Sequence, residues 1–329
     1  MNHPPRYGRL LVIGFDGYEI PGWLEGFADK YGLGGIILFA RNCPDAKTVK
    51  SLAEEAKAKL TDHLDGWTPL VMVDQEGGRV ERIKRGVSHM PAAAALSGMS
   101  LEEVETLSKI QGMELRMLGV EVNLAPVCDV LSVGESGVIG DRSFGEDPHV
   151  VGNYSAAAVR GLTAAGIGSC AKHFPGHGSS TVDTHLGAAM DGRGLTSIEK
   201  RDLAPFKRVV KAGVPMVMAS HIIYSAVDPR PATRSEFWLI EILRNRLAFD
   251  GVTISDDMEM VGAREGADPV AVAADSINAG CDLLIYGGML GERVDIFNLV
   301  EGLAREVLSE KINKRIQRLW KMRRSLSLR

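Results

Sequence analysis

Three histidines and one aspartate fall within fourteen residues of this chain, in the segment KHFPGHGSSTVDTH at 172–185. The whole chain contains only eight histidines. His173, His177, Asp183 and His185 could supply nitrogen and oxygen ligands to a metal ion. The proline and glycines around His177 disfavour the helix that would turn the first two histidines to one side. The first apolar run also ends in GFDG, without the H-x-H typical of barrel metal sites.

Acid–base catalysis is the other chemistry that this segment could perform. A carboxylate such as Asp183 beside the imidazole of His185 would fix its tautomer and stabilise its protonated form. Histidine titrates near neutral pH, so it can donate a proton to a leaving group and later accept one from water. The segment lies in a connection of some twenty residues, longer than a barrel connector needs to be. Glycines flank His177 and would allow such a loop to move over a substrate.

Short apolar runs recur along the chain, and each ends in a polar or glycine-rich step. The runs are almost continuously apolar, as expected for parallel strands covered on both faces. Segments with helical spacing lie between them. The pattern predicts an α/β fold, a single (β/α)8 TIM-type barrel domain over 1–329, with a doubly wound open sheet as the alternative. The runs are 10–16, 34–40, 70–75, 122–130, 168–174, 215–221, 251–257 and 281–287; the helix-like segments are 45–60, 100–119, 147–166, 196–213, 235–249, 268–280 and, roughly, 291–323.

Ionisable residues follow most of the apolar runs. In a barrel, chemistry takes place at the carboxyl ends of the strands, so these residues are expected to meet on one face. Polar residues are common wherever a strand ends, so these residues can also be ordinary loop residues without a functional role. The residues are Asp16, Arg41, Asp74, Asp129, Lys172, His173, His221, Asp256 and Asp257.

Asp256 and Asp257 end the seventh run, GVTISDD. A carboxylate at the end of a barrel strand can be the nucleophile toward C1 of a sugar, or a metal ligand. Side chains alternate along a strand, so only one of the two is expected to reach the cavity.

A second group of residues could hold a sugar. Asp74 ends the third run, and the two glycines of DQEGGRVERI allow the backbone to bring Arg82 back over the site. Arg142 and Lys172 complete the group. Surface ion pairs are the alternative role for the two arginines.

The composition narrows the class of protein. A net charge of −4 and a pI near 6.1 give no electrostatic reason to expect nucleic acid as a partner. No uninterrupted apolar window approaches twenty residues, so we expect no membrane insertion, and the first residues lack a secretory signal. The four cysteines are scattered without a C-x-x-C pair, which predicts buried free thiols and a cytoplasmic location. The oligomeric state is not determined by the sequence, and a monomer is the default expectation.

Five segments together resemble glycoside hydrolase family 3, specifically its β-N-acetylhexosaminidases of the NagZ type. The resemblance runs in order from about residue 8 to about residue 320, and the long KHFPGHG motif with its downstream D-T-H is highly specific. The five segments are KHFPGHG with DTH, DQEGGRVERI, VIGDRSFGEDP, SHIIYSAVDPRPAT and ISDDMEM.

The resemblance implies a single-barrel enzyme that removes β-linked N-acetylglucosamine from cytoplasmic muropeptides, GlcNAc-1,6-anhydro-MurNAc with or without peptide, in cell-wall recycling. It implies a covalent glycosyl-enzyme mechanism, with no metal or cofactor. His177 matches a motif position that shapes the loop. The implied catalytic residues are Asp256 as nucleophile and His185 as acid/base with Asp183 as its partner; the implied sugar-binding residues are Asp74, Arg82, Arg142, Lys172 and His173.

Three alternatives stay open beside this assignment. Some family members are phosphorylases, in which phosphate replaces water as the acceptor. A metal-dependent barrel hydrolase and a sugar-binding protein without catalysis are the others. The segment before Arg142 has Gly and Ser where the family often has Asn and Pro, which affects the expected contacts to the leaving group. The basic stretch near the C-terminus is interpreted as a solvated helix face followed by a frayed tail.

Overall fold

The computed structural model describes residues 6–132, 138–177, 189–264, 266–288 and 294–327. Eight parallel strands close into a barrel, in which the first strand pairs with both the second and the eighth. The predicted (β/α)8 barrel is confirmed, and each apolar run contains one strand. The strands are β1 Leu11–Ile13, β2 Gly35–Leu38, β3 Leu70–Val73, β4 Val122–Asn123, β5 Gly168–Phe174, β6 Met216–Ala219, β7 Val252–Asp257 and β8 Leu283–Tyr286.

Helices surround the barrel. Asp45 and Ser100 cap two of them, because their side chains accept the backbone N–H groups of Thr48 and Glu103. A π-helix spans Phe237–Arg246 within the segment predicted as helical at 235–249. The helices are α1 Gly22–Tyr31, α2 Ala46–Leu60, α3 Ala93–Leu96, α4 Leu101–Met117, α5 Pro148–Ala164, α6 Leu195–Lys200, α7 Leu203–Lys211, α8 Val261–Arg264, α9 Pro269–Ala279, α10 Ile296–Glu306 and α11 Ser309–Ser327.

The single helix predicted at 291–323 is wrong, because the chain forms α10 and α11 with a break between them. Val307 is extended at the break and almost fully buried, and its carbonyl oxygen accepts a hydrogen bond from the hydroxyl of Tyr7. The chain must turn here because α10 packs against α9, whereas α11 continues beneath the barrel.

Helix α11 covers the amino-terminal end of the barrel. Leu319 and Met322 belong to the same buried cluster as the residues that fill the barrel interior, and Trp320 packs edge-on against Trp67 with ring centroids 4.9 Å apart. Arg323 donates to Glu121, which immediately precedes β4, at 2.5 Å. The solvated helix face expected for this stretch is present on the outer side of α11, but the inner side is buried against the barrel and the helix continues to Ser327, where a frayed tail was expected.

Two apolar layers form the core. One fills the barrel interior, and the larger one lies between the strands and the outer helices. All four cysteines are free, as predicted, and all four are buried. Within the described ranges, no helix combines the length and apolar character needed to cross a bilayer.

Candidate active site

A cavity of about 200 Å³ opens at the carboxyl ends of the barrel strands. Its floor is apolar and its walls carry charged side chains, as expected for a site that holds a polar ligand by a few placed groups. The cavity brings together six of the eight residues predicted for the site, which come from five separate segments of the sequence. The cavity is lined by Asp74, Glu76, Arg82, Arg142, Lys172, His173, Asp256 and Asp257, together with Ile37, Phe39, Val80, Leu124, Met218 and Ile285.

Asp74 lies between two cations. Its Oδ1 atom is 2.7 Å from Nζ of Lys172, and its Oδ2 atom is 3.3 Å from Nη2 of Arg82. Burial alone would raise the pKa of Asp74, but Lys172 and Arg82 outweigh it and hold that pKa well below its usual range. Asp74 is thus ionised and can accept hydrogen bonds from sugar hydroxyls.

Glu76 is the site residue that the sequence analysis missed. Its carboxylate accepts both Nε and Nη2 of Arg142 at 2.8 Å, and its Oε1 atom lies 2.6 Å from Nζ of Lys172. Arg142 is therefore paired inside the site and is not a surface residue. The only available signal for Glu76 was its place in DQEGG, one residue beyond Gln75 and two beyond Asp74.

A tight hairpin presents both Glu76 and Arg82 to the cavity. It pairs Gln75–Gly77 with Val80–Glu81, and Gly77 at its turn has φ of 110°. A Cβ atom on Gly77 would lie 2.4 Å from the carbonyl oxygen of Pro91, so only glycine fits there. The backbone turn expected from the two glycines is confirmed.

Asp129 organises the start of the KHFPGH segment. Its Oδ2 atom lies 2.7 Å from Nδ1 of His173, and its Oδ1 atom accepts the backbone N–H of His177 at 2.6 Å. Because Asp129 is a carboxylate, Nδ1 of His173 carries the proton. Nε2 of His173 is then the ring nitrogen left to meet a ligand in the cavity. The sequence placed Asp129 at a strand end but assigned it no role.

Asp256 and Asp257 both line the cavity, so the expectation that only one would reach it is wrong. The register between β7 and β8 slips between Ile254 and Asp257, where three steps on β7 match two on β8. Such a bulge breaks the alternation of side chains. Burial, with Glu259 and Asp256 nearby, raises the pKa of Asp257 to about 7.

Asp183 and His185 lie outside the described residues, so their arrangement stays a prediction from the sequence. Among the residues that the structure describes, no group of three or more His, Cys, Asp or Glu side chains is arranged to hold a metal ion. Asp16 and Arg41 form an ion pair of 2.8 Å and are not among the residues that line the cavity.

Comparison with known proteins identifies a family that this chain matches. The profile of the glycosyl hydrolase family 3 N terminal domain matches residues 23–322. A beta-hexosaminidase of Nitrosomonas eutropha is 39% identical over 260 residues, which cover 77% of this chain and 73% of that protein.

Solved structures show the same fold. A family 3 β-N-acetylglucosaminidase from Paenibacillus sp. superposes with a TM-score of 0.90 at 30% identity, covering 98% of this chain. This chain spans only 62% of that longer protein. NagZ from Neisseria gonorrhoeae, in complex with N-trifluoroacetyl-D-glucosamine, superposes with a TM-score of 0.81 at 29% identity, covering 100% of this chain and 98% of that one.

Proposed function

The chain belongs to glycoside hydrolase family 3, and from this membership we propose that it is a retaining exo-β-N-acetylglucosaminidase. One observation carries the proposal. Asp256, at the end of β7, lines the same cavity as all five predicted sugar-binding residues. A candidate nucleophile beside a set of hydroxyl-binding charges is the arrangement that sugar transfer requires.

In the proposed mechanism, a carboxylate oxygen of Asp256 attacks C1 of the sugar, and the bond from C1 to the glycosidic oxygen breaks. His185, oriented by Asp183, donates its proton to that departing oxygen. Water then attacks C1 of the glycosyl-enzyme ester, His185 takes a proton from the water, and Asp256 is released. The assignment of Asp183 and His185 rests on the sequence motif alone.

The proposed substrate is a muropeptide, GlcNAc-1,6-anhydro-MurNAc with or without its peptide, and the proposed role is cytoplasmic recycling of peptidoglycan. The support is the NagZ-type motif set and the similarity to the gonococcal enzyme that was solved with a glucosamine derivative. We further propose that the barrel acts as one catalytic domain over 1–329.

The first test is release of the chromophore from an aryl N-acetyl-β-glucosaminide, with and without chelator, by the wild type and by Asp256→Ala. We expect turnover that survives chelation and is lost in the variant. Loss of turnover on chelation would favour a metal-dependent hydrolase, and wild-type binding without turnover would favour a sugar-binding protein. With the anhydro-disaccharide as substrate, proton NMR should show β-GlcNAc as the first product, whereas a glycosyl phosphate formed on adding phosphate would identify a phosphorylase.

A further inference from the structure

Five side chains of alternating charge run continuously along the wall of the cavity. Arg82 contacts Asp74, Asp74 contacts Lys172, Lys172 contacts Glu76, and Glu76 contacts Arg142. Glu76 is the only member to which the family resemblance assigned no role. Like Asp74 it contacts two cations, and both of them reach the same oxygen atom, Oε1.

We infer that Glu76 is the positioning residue of this site: it fixes Lys172 and Arg142 so that their remaining N–H groups point at the sugar. The inference rests on the proposed function. Lys172 donates one ammonium proton to Asp74 and forms an ion pair with Glu76, so at least one of its three protons is left for a ligand. Arg142 uses one proton of Nε and one of Nη2 on Glu76, which leaves the second proton of Nη2 and both protons of Nη1.

The burial of these groups makes Glu76 necessary. The side chains of Lys172 and Glu76 are only 2% and 6% exposed. Without the carboxylate, Lys172 and Arg142 would be two neighbouring buried cations that share no anion, and their repulsion is weakly screened in such a place. Burial and Arg142 both lower the pKa of Lys172, and Asp74 together with Glu76 reverses this and raises it.

The backbone that carries Glu76 is rigid. The amide of neighbouring Gln75 spans the hairpin, accepting the N–H groups of Arg82 and Ile83 at 3.0 Å. Asn123 of β4 exchanges two hydrogen bonds with the backbone of Gln75, at 3.0 and 2.9 Å. The backbone beside Glu76 is therefore held by one strand of the barrel and by the other side of the hairpin, which suits a residue that orients others.

Glu81 provides a matched control in the same hairpin. It is also buried, and it accepts the N–H of Met90 at 2.8 Å and contacts Nδ1 of His89 at 2.9 Å, away from the cavity. We would compare Glu76→Gln, Glu76→Asp and Glu81→Gln in the full chain. The readouts are kcat and KM on the aryl substrate, calorimetric binding of N-acetylglucosamine, and thermal unfolding.

We expect Glu76→Gln to lose about 100-fold in kcat/KM and to bind N-acetylglucosamine more weakly, since small misplacements of positioning groups have effects of this size. Glu81→Gln should retain activity within a few-fold even if its Tm falls. Glu76→Asp keeps the charge but withdraws it by one methylene, so it should also lose binding. If Glu76→Gln does not fold, Glu76→Asp becomes the deciding variant. The inference would be overturned if Glu76→Asp bound N-acetylglucosamine as tightly as the wild type does.

A double-mutant cycle separates positioning from general stabilisation. If Glu76 acts partly through Arg142, the double variant Glu76→Gln/Arg142→Ala should lose clearly less than the sum of the two single losses. Fully additive losses, or equal losses in Glu76→Gln and Glu81→Gln, would contradict the inference. An inert wild type would refute the proposed function instead, while the binding measurements would still test Glu76.

Discussion

His221 holds the end of the strand that carries the candidate nucleophile, because its Nε2 atom lies 3.1 Å from the carbonyl oxygen of Asp257. A carbonyl only accepts, so Nε2 carries the proton and Nδ1 accepts the hydroxyl of Thr233 at 2.8 Å. Burial lowers the pKa of His221, which keeps the ring neutral as this arrangement requires. His221 thereby fixes the backbone one residue beyond Asp256.

Replacing His221 by Phe should reduce kcat by about 100-fold, because the end of β7 would lose its anchor and Asp256 its alignment. His221→Gln can still donate a hydrogen bond and should retain more activity. Steady-state kinetics of both variants on the aryl substrate checks this. Equal kcat values for the two variants would show that the hydrogen bond donated to the carbonyl oxygen of Asp257 does not determine the activity.

The same histidine predicts a loss of stability in acid. The pKa of His221 is lower in the folded chain than its usual 6.5, so the unfolded chain binds more protons below that pH. The stability that the neutral ring contributes is complete above pH 6.5 and is lost as the pH falls through the folded pKa. The difference in unfolding free energy between wild type and His221→Gln should therefore shrink between pH 7 and pH 5. A constant difference in urea denaturation would contradict the prediction.

Asp257→Asn should stabilise the chain at pH 8 and not at pH 4. The pKa of Asp257 is about 7 when folded against 3.8 as reference, so its contribution to stability falls as the pH rises between these values. Asparagine does not ionise and avoids this loss, a gain of at most about 4 kcal/mol. Chemical denaturation at pH 8 and pH 4 measures the difference in unfolding free energy between Asp257→Asn and the wild type. Asp16→Asn is the control, because the side chain of Asp16 is exposed.

Asp257→Asn should also remain active if Asp256 is the nucleophile, whereas Asp256→Asn should lose nearly all turnover.

A His185→Ala variant given a substrate with an activated aryl leaving group should accumulate the glycosyl-enzyme intermediate. Departure of that leaving group needs no acid, while the attack of water still needs a base. Mass spectrometry should then find one added N-acetylhexosamine on the peptide that contains Asp256. Label on a peptide without Asp256 would refute the mechanism.

Met322→Ala should destabilise the fold by about 2–5 kcal/mol, since its side chain is buried at the amino-terminal end of the barrel. Arg324 lies two residues on in the same helix and is exposed, so Arg324→Ala should stay within about 0.5 kcal/mol of the wild type. Both variants should keep the wild-type kcat below their melting temperatures, because the cavity is at the opposite end of the barrel. Chemical denaturation and kinetics at 25 °C would establish both points.

The apolar runs were sufficient to predict all eight strands, because a strand covered on both faces needs nothing but apolar side chains. The apolar runs could not predict features that depend on how distant elements pair or pack. The bulge before Asp257 comes from how β7 pairs with β8, which no local pattern encodes. The break at Val307 similarly follows from the packing of α10 and α11 on different sides of the barrel, with no proline or glycine to mark it.

In the candidate site, too, some residues could be predicted from the sequence and others could not. Motif resemblance was sufficient for residues whose types are chemically distinctive, such as Lys172 and His173. Glu76 was missed because its partners are remote in sequence: Lys172 is 2.6 Å from it in space but follows it by nearly a hundred residues. Its role becomes visible only when the closed barrel brings β3 and β5 to one cavity.

The closure of the barrel also has a consequence for synthesis. Leu11 of β1 pairs with Leu284 of β8, so one edge of the first strand has no partner until the eighth has left the ribosome. At ordinary elongation rates this delay is on the order of tens of seconds. During that time the nascent chain presents an apolar strand with unpaired backbone groups, which is the kind of surface that chaperones bind. Translation speed between the first and last strands is thus expected to affect the yield of folded protein.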